Sequence, residues 1–259
     1  MTSISSGENP RVRRWRRLTR DGSLRRREMS VLVEGAHLVA ACIDAGVTIK
    51  TLILSSSGSR QREFTALAMR SGKNPVMLAD SVFHLIANTE TPAGIAAEIA
   101  LPCVQEELRA AASCVFLDGV QESGNVGAIL RSACAFGIRH AVLGRGCADA
   151  WSPKVLRAGM GAHFVMNIHD AGDLAAAIAN FGGKIACTVP QGGIALAGAD
   201  LSGRIGWLLG AEGQGVSHAL AECATLKITI PMPGGAQSLN VAAAAAICFY
   251  AFSTRDARS

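Results

Sequence analysis

The sequence predicts an α/β protein in two parts, a small α/β domain followed by a larger one built on a largely parallel sheet. Two observations predict it. Short apolar runs alternate with helical patterns along nearly the whole chain, the order expected of strands and helices that cover one another. In the second part the units lengthen, and glycine and polar residues collect after three of the strand-like runs. Parallel sheets bind ligands there, outside the carboxyl ends of their strands.

In chain order, residues 1–28 form a basic segment. The first thirty residues hold nine arginines against Glu8, Asp21 and Glu28, a net of +6, so the other 229 sum to −1 of the chain's +5. Arginine forks match phosphate oxygens and displace condensed counterions, which points to nucleic-acid contact through Arg13, Arg14, Arg16, Arg17, Arg25 and Arg26. A solvated basic tail is the simpler alternative. Trp15 adds a candidate stacking surface.

Residues 29–100 read MSVLVEG, HLVAACIDAG, IKTLILSS, REFTALAMRSG, PVMLA, SVFHLIA and GIAAEIA, strand and helix in turn. No constellation of catalytic groups stands out in them. The more polar LPCVQEELRAAAS, residues 101–113, is expected to be a linker. From 114 to 259 the predicted strands are CVFLDGV, HAVLG, HFVMNIH, KIACTV, WLLG and LKITIPM, separated mainly by helices such as GNVGAILRSACAFG and SPKVLRAGMG. Near-continuous apolar strands of this kind belong to a sheet covered on both faces. The last helix opens at Val241.

Composition excludes several classes. Hydrophobic residues make up 49% and charged residues 17%, enough to bury a substantial core. The longest apolar run, Val241 to Phe252, is twelve residues, short of the roughly 20 that cross a bilayer. No membrane span is expected, and the N-terminus lacks the apolar core of a secretory signal. The eight cysteines show neither CxxC spacing nor clustering with histidine, so they are expected to be reduced core thiols of a cytoplasmic protein without a metal site.

The loops after Val120, Leu209 and Met232 carry the chemistry. They read LDGVQESGNVGAILR, LLGAEGQGVS and IPMPGGAQSLNVA. Glycine lets backbone turn tightly or approach a ligand, and free N–H groups at helix starts bind polar groups. Each loop alone has a structural reading: Asn125, Ser238 and Asn240 are also good helix caps, and Gly210 to Gly215 is also a turn. Three at one sheet edge describe a cofactor pocket. No GxGxxG follows the first strand of either part and no GxxxxGK[ST] occurs, which disfavours a dehydrogenase or P-loop enzyme.

The set NVGAILR (Asn125 to Arg131), LGAEGQG (Leu209 to Gly215) and IPMPGGAQSLNV (Ile230 to Val241) resembles the three motifs of the SpoU, or TrmH-like, RNA 2′-O-ribose methyltransferases. The likeness extends to SPKVLRAGMGA (Ser152 to Ala162) and, in the first part, to VLVEG and TETPAGI. The resemblance implies a SPOUT domain whose C-terminal chain threads a trefoil knot around S-adenosylmethionine, a homodimer packed through that domain, and an L30e-like module for RNA. It implies that Leu209, Gly210, Ile230, Met232, Ser238 and Leu239 hold the cofactor, and that Arg131, Asn125, Glu212, Ser238 and Asn240 serve catalysis. Ribosomal RNA is the expected substrate, with transfer RNA the runner-up; a non-catalytic RNA-binding protein that keeps the pocket is the other alternative. Arg131 is expected to clamp a phosphate and stabilise alkoxide charge rather than act as a base, since a guanidinium stays protonated. Departures from the family pattern fall at Gly159, Gln237 and Ala242.

Overall fold

The computed structural model describes residues 3–104, 106–111, 113–235 and 237–256. Residue 236 of the third motif and residues 105 and 112 of the expected linker lie outside them. The chain divides into two compact units, Met1–Cys103 with Trp151–Phe164, and Val104–Ala150 with Val165–Ser259.

The first unit contains β1 (Ser3–Ile4), α1 (Pro10–Arg20), α2 (Gly22–Glu28), β2 (Ser30–Glu34), α3 (Ala36–Asp44), β3 (Ile49–Ser55), α4 (Arg62–Ser71), β4 (Val76–Leu78), α5 (Asp80–Ile86) and β5 (Ile95–Ala100). Its five strands lie in the order β1-β4-β3-β5-β2, with β5 antiparallel to both neighbours. Val31, Val33, Leu52, Leu54, Ala97 and Ile99 point into one core, and Leu32, Ile53 and Ala96 into another on the opposite face.

The basic segment is not a tail ahead of this unit. The Asn9 side chain accepts from Arg11 N, Pro10 occupies the first turn, and α1 places Val12, Trp15 and Leu18 on one buried face. Leu24 of α2 joins them in the core with Leu32, Ile53 and Phe83. Trp15 is therefore not a stacking surface: it is 1% exposed, and its indole N–H donates to Glu98 Oε2 at 2.8 Å. Burial pushes the Glu98 carboxyl up, but hydrogen bonds from Arg14 and Trp15 outweigh it and hold the group below its ordinary range.

Trp151–Phe164 also departs from the expected boundary, since it belongs to the first unit although it lies within the second in sequence. Its helix α7 (Pro153–Gly159) is capped by Ser152 and contributes Leu156 to the core under β2 and β5. Gly159 is buried at its end. VLVEG and TETPAGI are joined directly, because the Glu34 carboxylate accepts from Asn88 N at 3.0 Å and from the Thr89 hydroxyl at 2.9 Å.

The second unit contains β6 (Ser113–Asp118), α6 (Ser123–Ala135), β7 (His140–Leu143), β8 (Asn167–Asp170), α8 (Leu174–Phe181), β9 (Lys184–Thr188), β10 (Ile194–Ala195), β11 (Ile205–Gly210), α9 (His218–Ala221), β12 (Leu226–Thr229) and α10 (Val241–Asp256). The sheet runs β10-β12-β9-β11-β6-β7-β8, every pair parallel. The six expected strands are joined by β10, two residues on the edge. Their bounds shift most at HFVMNIH, whose strand begins only at Asn167. The apolar runs of β6 and β11 explain their central place, since only strands covered on both faces tolerate them.

All eight cysteines are free, but only Cys42, Cys114, Cys187 and Cys248 are buried, so the expectation of eight core thiols is too broad. Burial pushes the Cys42 and Cys248 thiols up to about 12. No described helix is long and apolar enough to cross a membrane.

Candidate active site

Parallel pairing sends the ends of β6, β9, β11 and β12 to one edge of the sheet. Four loops leave that edge and enclose a cavity of about 500 Å³. The loop after β6 and the start of α6 give Glu122 and Asn125; the loop after β11 gives Gly210, Ala211, Glu212, Gly213 and Gly215. The third motif gives Ile230, Met232, Ser238, Leu239 and Asn240. Thr188, the last residue of β9, and Val189 and Pro190 beyond it form a wall that the motifs did not indicate. The rule that ligands sit beyond strand carboxyl ends applies to KIACTV as well, and was the available signal.

Gly210 has no room for a side chain. A Cβ there would lie 2.0 Å from Gly215 C and 2.1 Å from Val216 N, because the loop doubles back on itself with Gly215 N donating to Ala211 O at 2.8 Å. Ser217 N, at the far end of the loop, donates to Asp118 Oδ2 at 2.8 Å and ties it to β6.

A chain of side-chain hydrogen bonds joins the three motifs. Asn125, 6% exposed, donates through Nδ2 to Glu212 Oε1 at 2.7 Å and to Glu122 Oε2 at 3.2 Å. Its Oδ1 accepts from Asn240 Nδ2 at 2.9 Å. Asn240 Oδ1 accepts in turn from Ala242 N and Ala243 N, capping α10. These partners fix the orientation of both amides, and the second N–H of Asn240 makes no bond among the described residues. Partial burial pushes the Glu212 carboxyl up, but the Asn125 amide and the backbone N–H groups of Glu212, Gln121 and Glu122 outweigh it and hold it below its usual range. Glu212 is a carboxylate at neutral pH, a fixed acceptor rather than a proton donor.

Other candidates sit differently. Ser238 is exposed on the cavity rim and Gln237 is exposed beside it. Leu209 does not line the cavity; its side chain is fully buried in β11. Arg131 is exposed on α6, outside the cavity, and pairs with no described residue. Among the basic candidates of the first unit, Arg13, Arg16, Arg17 and Arg26 are exposed. Arg25 is not available: it is 4% exposed and donates to Leu18 O at 2.5 Å. Arg14 is engaged too, bound to Glu28 at 2.6 Å and Glu98 at 2.9 Å. Glu122 was missed by the sequence reading, although it stands one turn ahead of Asn125.

A second cavity of about 510 Å³, lined by Glu106, Arg109, His169 and Asn180 among others, shares no residue with the first and none with the three motifs. No described group of three or more His, Cys, Asp or Glu side chains is arranged to hold a metal.

The fold and site thus define an α/β protein with a ligand cavity built from the loops of a parallel sheet, in a chain that also carries a unit faced with arginine. Comparison with known proteins makes this specific. The model of the SpoU rRNA Methylase family matches residues 112–250, and that of the MRM3-like substrate binding domain matches residues 9–97. The 23S rRNA (guanosine(2553)-2′-O)-methyltransferase RlmP of Bacillus subtilis is 32% identical over 96% of this chain and 98% of its own. A putative RNA methyltransferase of the TrmH family from Porphyromonas gingivalis superposes with a TM-score of 0.81 at 33% identity, covering 94% of this chain and 97% of that one. The AdoMet-bound rRNA methyltransferase of Sinorhizobium meliloti does so with a TM-score of 0.83 at 27% identity, covering 98% of each. The chain belongs to the SpoU rRNA methylase family.

Proposed function

We propose that this chain is an S-adenosylmethionine-dependent RNA 2′-O-ribose methyltransferase acting on ribosomal RNA. The observation that carries the reading is the Glu212–Asn125–Asn240 chain, which ties all three motifs to the rim of one ligand-sized cavity. The residues fit the cofactor: Val189, Ile228, Ile230 and Leu239 offer apolar walls to a planar base, and Gly210 lets the loop after β11 fold back on the strand end to close one side of the cavity. Of the relatives named above, RlmP of Bacillus subtilis is a 23S rRNA methyltransferase and the rRNA methyltransferase of Sinorhizobium meliloti was solved with AdoMet bound, in agreement with it.

When bound, the cofactor supplies an already activated methyl group. The protein's task is orientation and charge. Asn240 presents its remaining N–H, and Ser238 its hydroxyl, to the ribose at the rim. Ionised Glu212 fixes Asn125 and takes no proton. Arg131, outside the cavity, clamps the phosphate next to the target ribose and stabilises the developing alkoxide; the hydroxyl proton leaves through that phosphate or water.

The finer architecture belongs to the same proposal. The C-terminal segment threads a trefoil knot, supported by the convergence of the loops after β9, β11 and β12 on one cavity. The first unit is an L30e-like RNA-binding module that meets RNA through Arg13, Arg16, Arg17 and Arg26. The second unit dimerises through α6 and α10, where Ile247 is 40% and Tyr250 59% exposed and Tyr250 packs edge-on against Phe136.

The test is transfer of labelled methyl from S-adenosylmethionine to RNA lacking 2′-O-methyl groups. Label at a ribose of ribosomal RNA supports the reading; label only in transfer RNA corrects the substrate; cofactor binding without transfer to any RNA refutes the activity.

A further inference from the structure

The cavity's charge is one-sided. Among the described residues, its lining includes no lysine, arginine or histidine, and its only acidic side chains are Glu122 and Glu212. Both carboxylates accept from the same nitrogen, Asn125 Nδ2, at 3.2 and 2.7 Å. Two like charges on one amide repel each other, and Asn125 is neutral, so no cationic side chain among the described residues of the cavity wall offsets them. Glu122 precedes α6 without capping it, since its side chain makes no cap bond to the helix and turns instead toward Asn125. A neutral acceptor at either position would have oriented Asn125 equally well. The charge itself therefore needs an explanation.

We propose that Glu122, together with Glu212, makes the cavity selective for the charge on the ligand's sulfur, holding the cationic methyl donor in preference to its neutral thioether product. The inference rests on the cofactor assignment made above. S-adenosylmethionine and S-adenosylhomocysteine share their base, sugar and amino-acid ends; they differ by one methyl group and one positive charge. The shared apolar walls and backbone contacts bind both alike and cancel in the comparison. The carboxylates do not cancel, because a fixed negative charge acts on the sulfonium and has no counterpart in the thioether. Binding specificity is this difference in affinity. A unit charge pair several ångströms apart in a partly solvated site is worth roughly threefold to fiftyfold. The selectivity favours exchange of spent for fresh cofactor at a site where both compete. Glu122 works by its charge; Glu212, which makes the shorter bond to Asn125, also holds the loop in place.

Glu122→Gln removes the charge and keeps an oxygen to accept from Asn125. Dissociation constants for S-adenosylmethionine and S-adenosylhomocysteine, measured by calorimetry on the full chain, give the homocysteine-to-methionine ratio for wild type and variant. The ratio is expected to fall by about threefold or more in the variant, mainly through weaker binding of the sulfonium compound. In the wild type, raising salt from about 50 to 500 mM is expected to weaken the sulfonium compound more than the thioether; this reading needs no variant and survives a folding failure of Glu122→Gln. An unchanged ratio in a folded variant, or equal salt dependence of the two ligands, overturns the proposal while leaving the cofactor assignment intact. Failure of the wild type to bind either compound overturns the cofactor assignment and this inference with it.

Discussion

Gly210→Ala probes the backbone on which the cavity is built. The new Cβ would stand 2.0 Å from Gly215 C and 2.2 Å from Gly215 O, whereas ordinary contact begins near 3.4 Å, so the loop after β11 must withdraw by about 1.4 Å. Backbone lies on both sides of the clash, and no flexible side chain can absorb it. Glu212 rides on that loop. A displacement of this size stretches its 2.7 Å bond to Asn125 past hydrogen-bonding range. The lost charged hydrogen bond is worth about 1.5–3 kcal/mol, which corresponds to roughly tenfold to a hundredfold in cofactor affinity. Overpacking adds a stability cost of about 1–3 kcal/mol, and at roughly 2–4 °C per kcal/mol the Tm should fall by several degrees. Calorimetry with S-adenosylmethionine and a thermal melt measure the two effects. Affinity within twofold of wild type at unchanged Tm would refute the close-approach reasoning.

Further outcomes follow from the same geometry. Arg131→Ala should lower methyl transfer by about a hundredfold while leaving the cofactor Kd within twofold, since Arg131 does not line the cavity; a large loss of cofactor affinity would show that it does act there. Arg131→Lys at near-full rate would remove the need for a bidentate fork. Replacing Arg13, Arg16, Arg17 and Arg26 by Gln should reduce the slope of log affinity for RNA against log salt by about 0.7 for each phosphate no longer neutralised, and an unchanged slope would relieve this face of any RNA role. Glu98→Gln weakens a buried link to Arg14 and Trp15. The folded Glu98 carboxyl titrates below its ordinary value of 4.5, so its stabilisation is fully present above that value and is lost as pH falls through the folded one. The stability gap between wild type and variant, read by chemical denaturation, should be constant from pH 7 to 5.5 and close below about 4.5; a gap that widens on acidification would contradict the assignment.

The parts of the fold that bury whole runs of residues were legible in the sequence. CVFL and WLLG read as strands because central parallel strands need apolar residues on both faces, and these are the buried β6 and β11. Helices α1 and α2 were not read, because nine arginines mask their apolar positions; yet Val12, Trp15 and Leu18 recur every third residue, the signature of a buried helical stripe. Strands β1 and β10, two residues each, carry no pattern at all. Assignment of Trp151–Phe164 to the first unit is a tertiary fact that no local periodicity encodes. At the candidate site the motifs indicated Asn125, Glu212 and Asn240 one by one, but not their order as a hydrogen-bonded chain. The burial of Arg25 and Leu209 likewise depends on packing rather than residue type.

The central claim is methyl transfer to a ribose of ribosomal RNA. The most direct measurement incubates the full chain with methyl-labelled S-adenosylmethionine and ribosomal RNA lacking 2′-O-methyl groups, then maps the label by nucleoside analysis, with Arg131→Ala alongside. The expected result is label on a single 2′-oxygen, formed about a hundredfold more slowly in the variant. Label on a base, or equal labelling by wild type and variant, would contradict it.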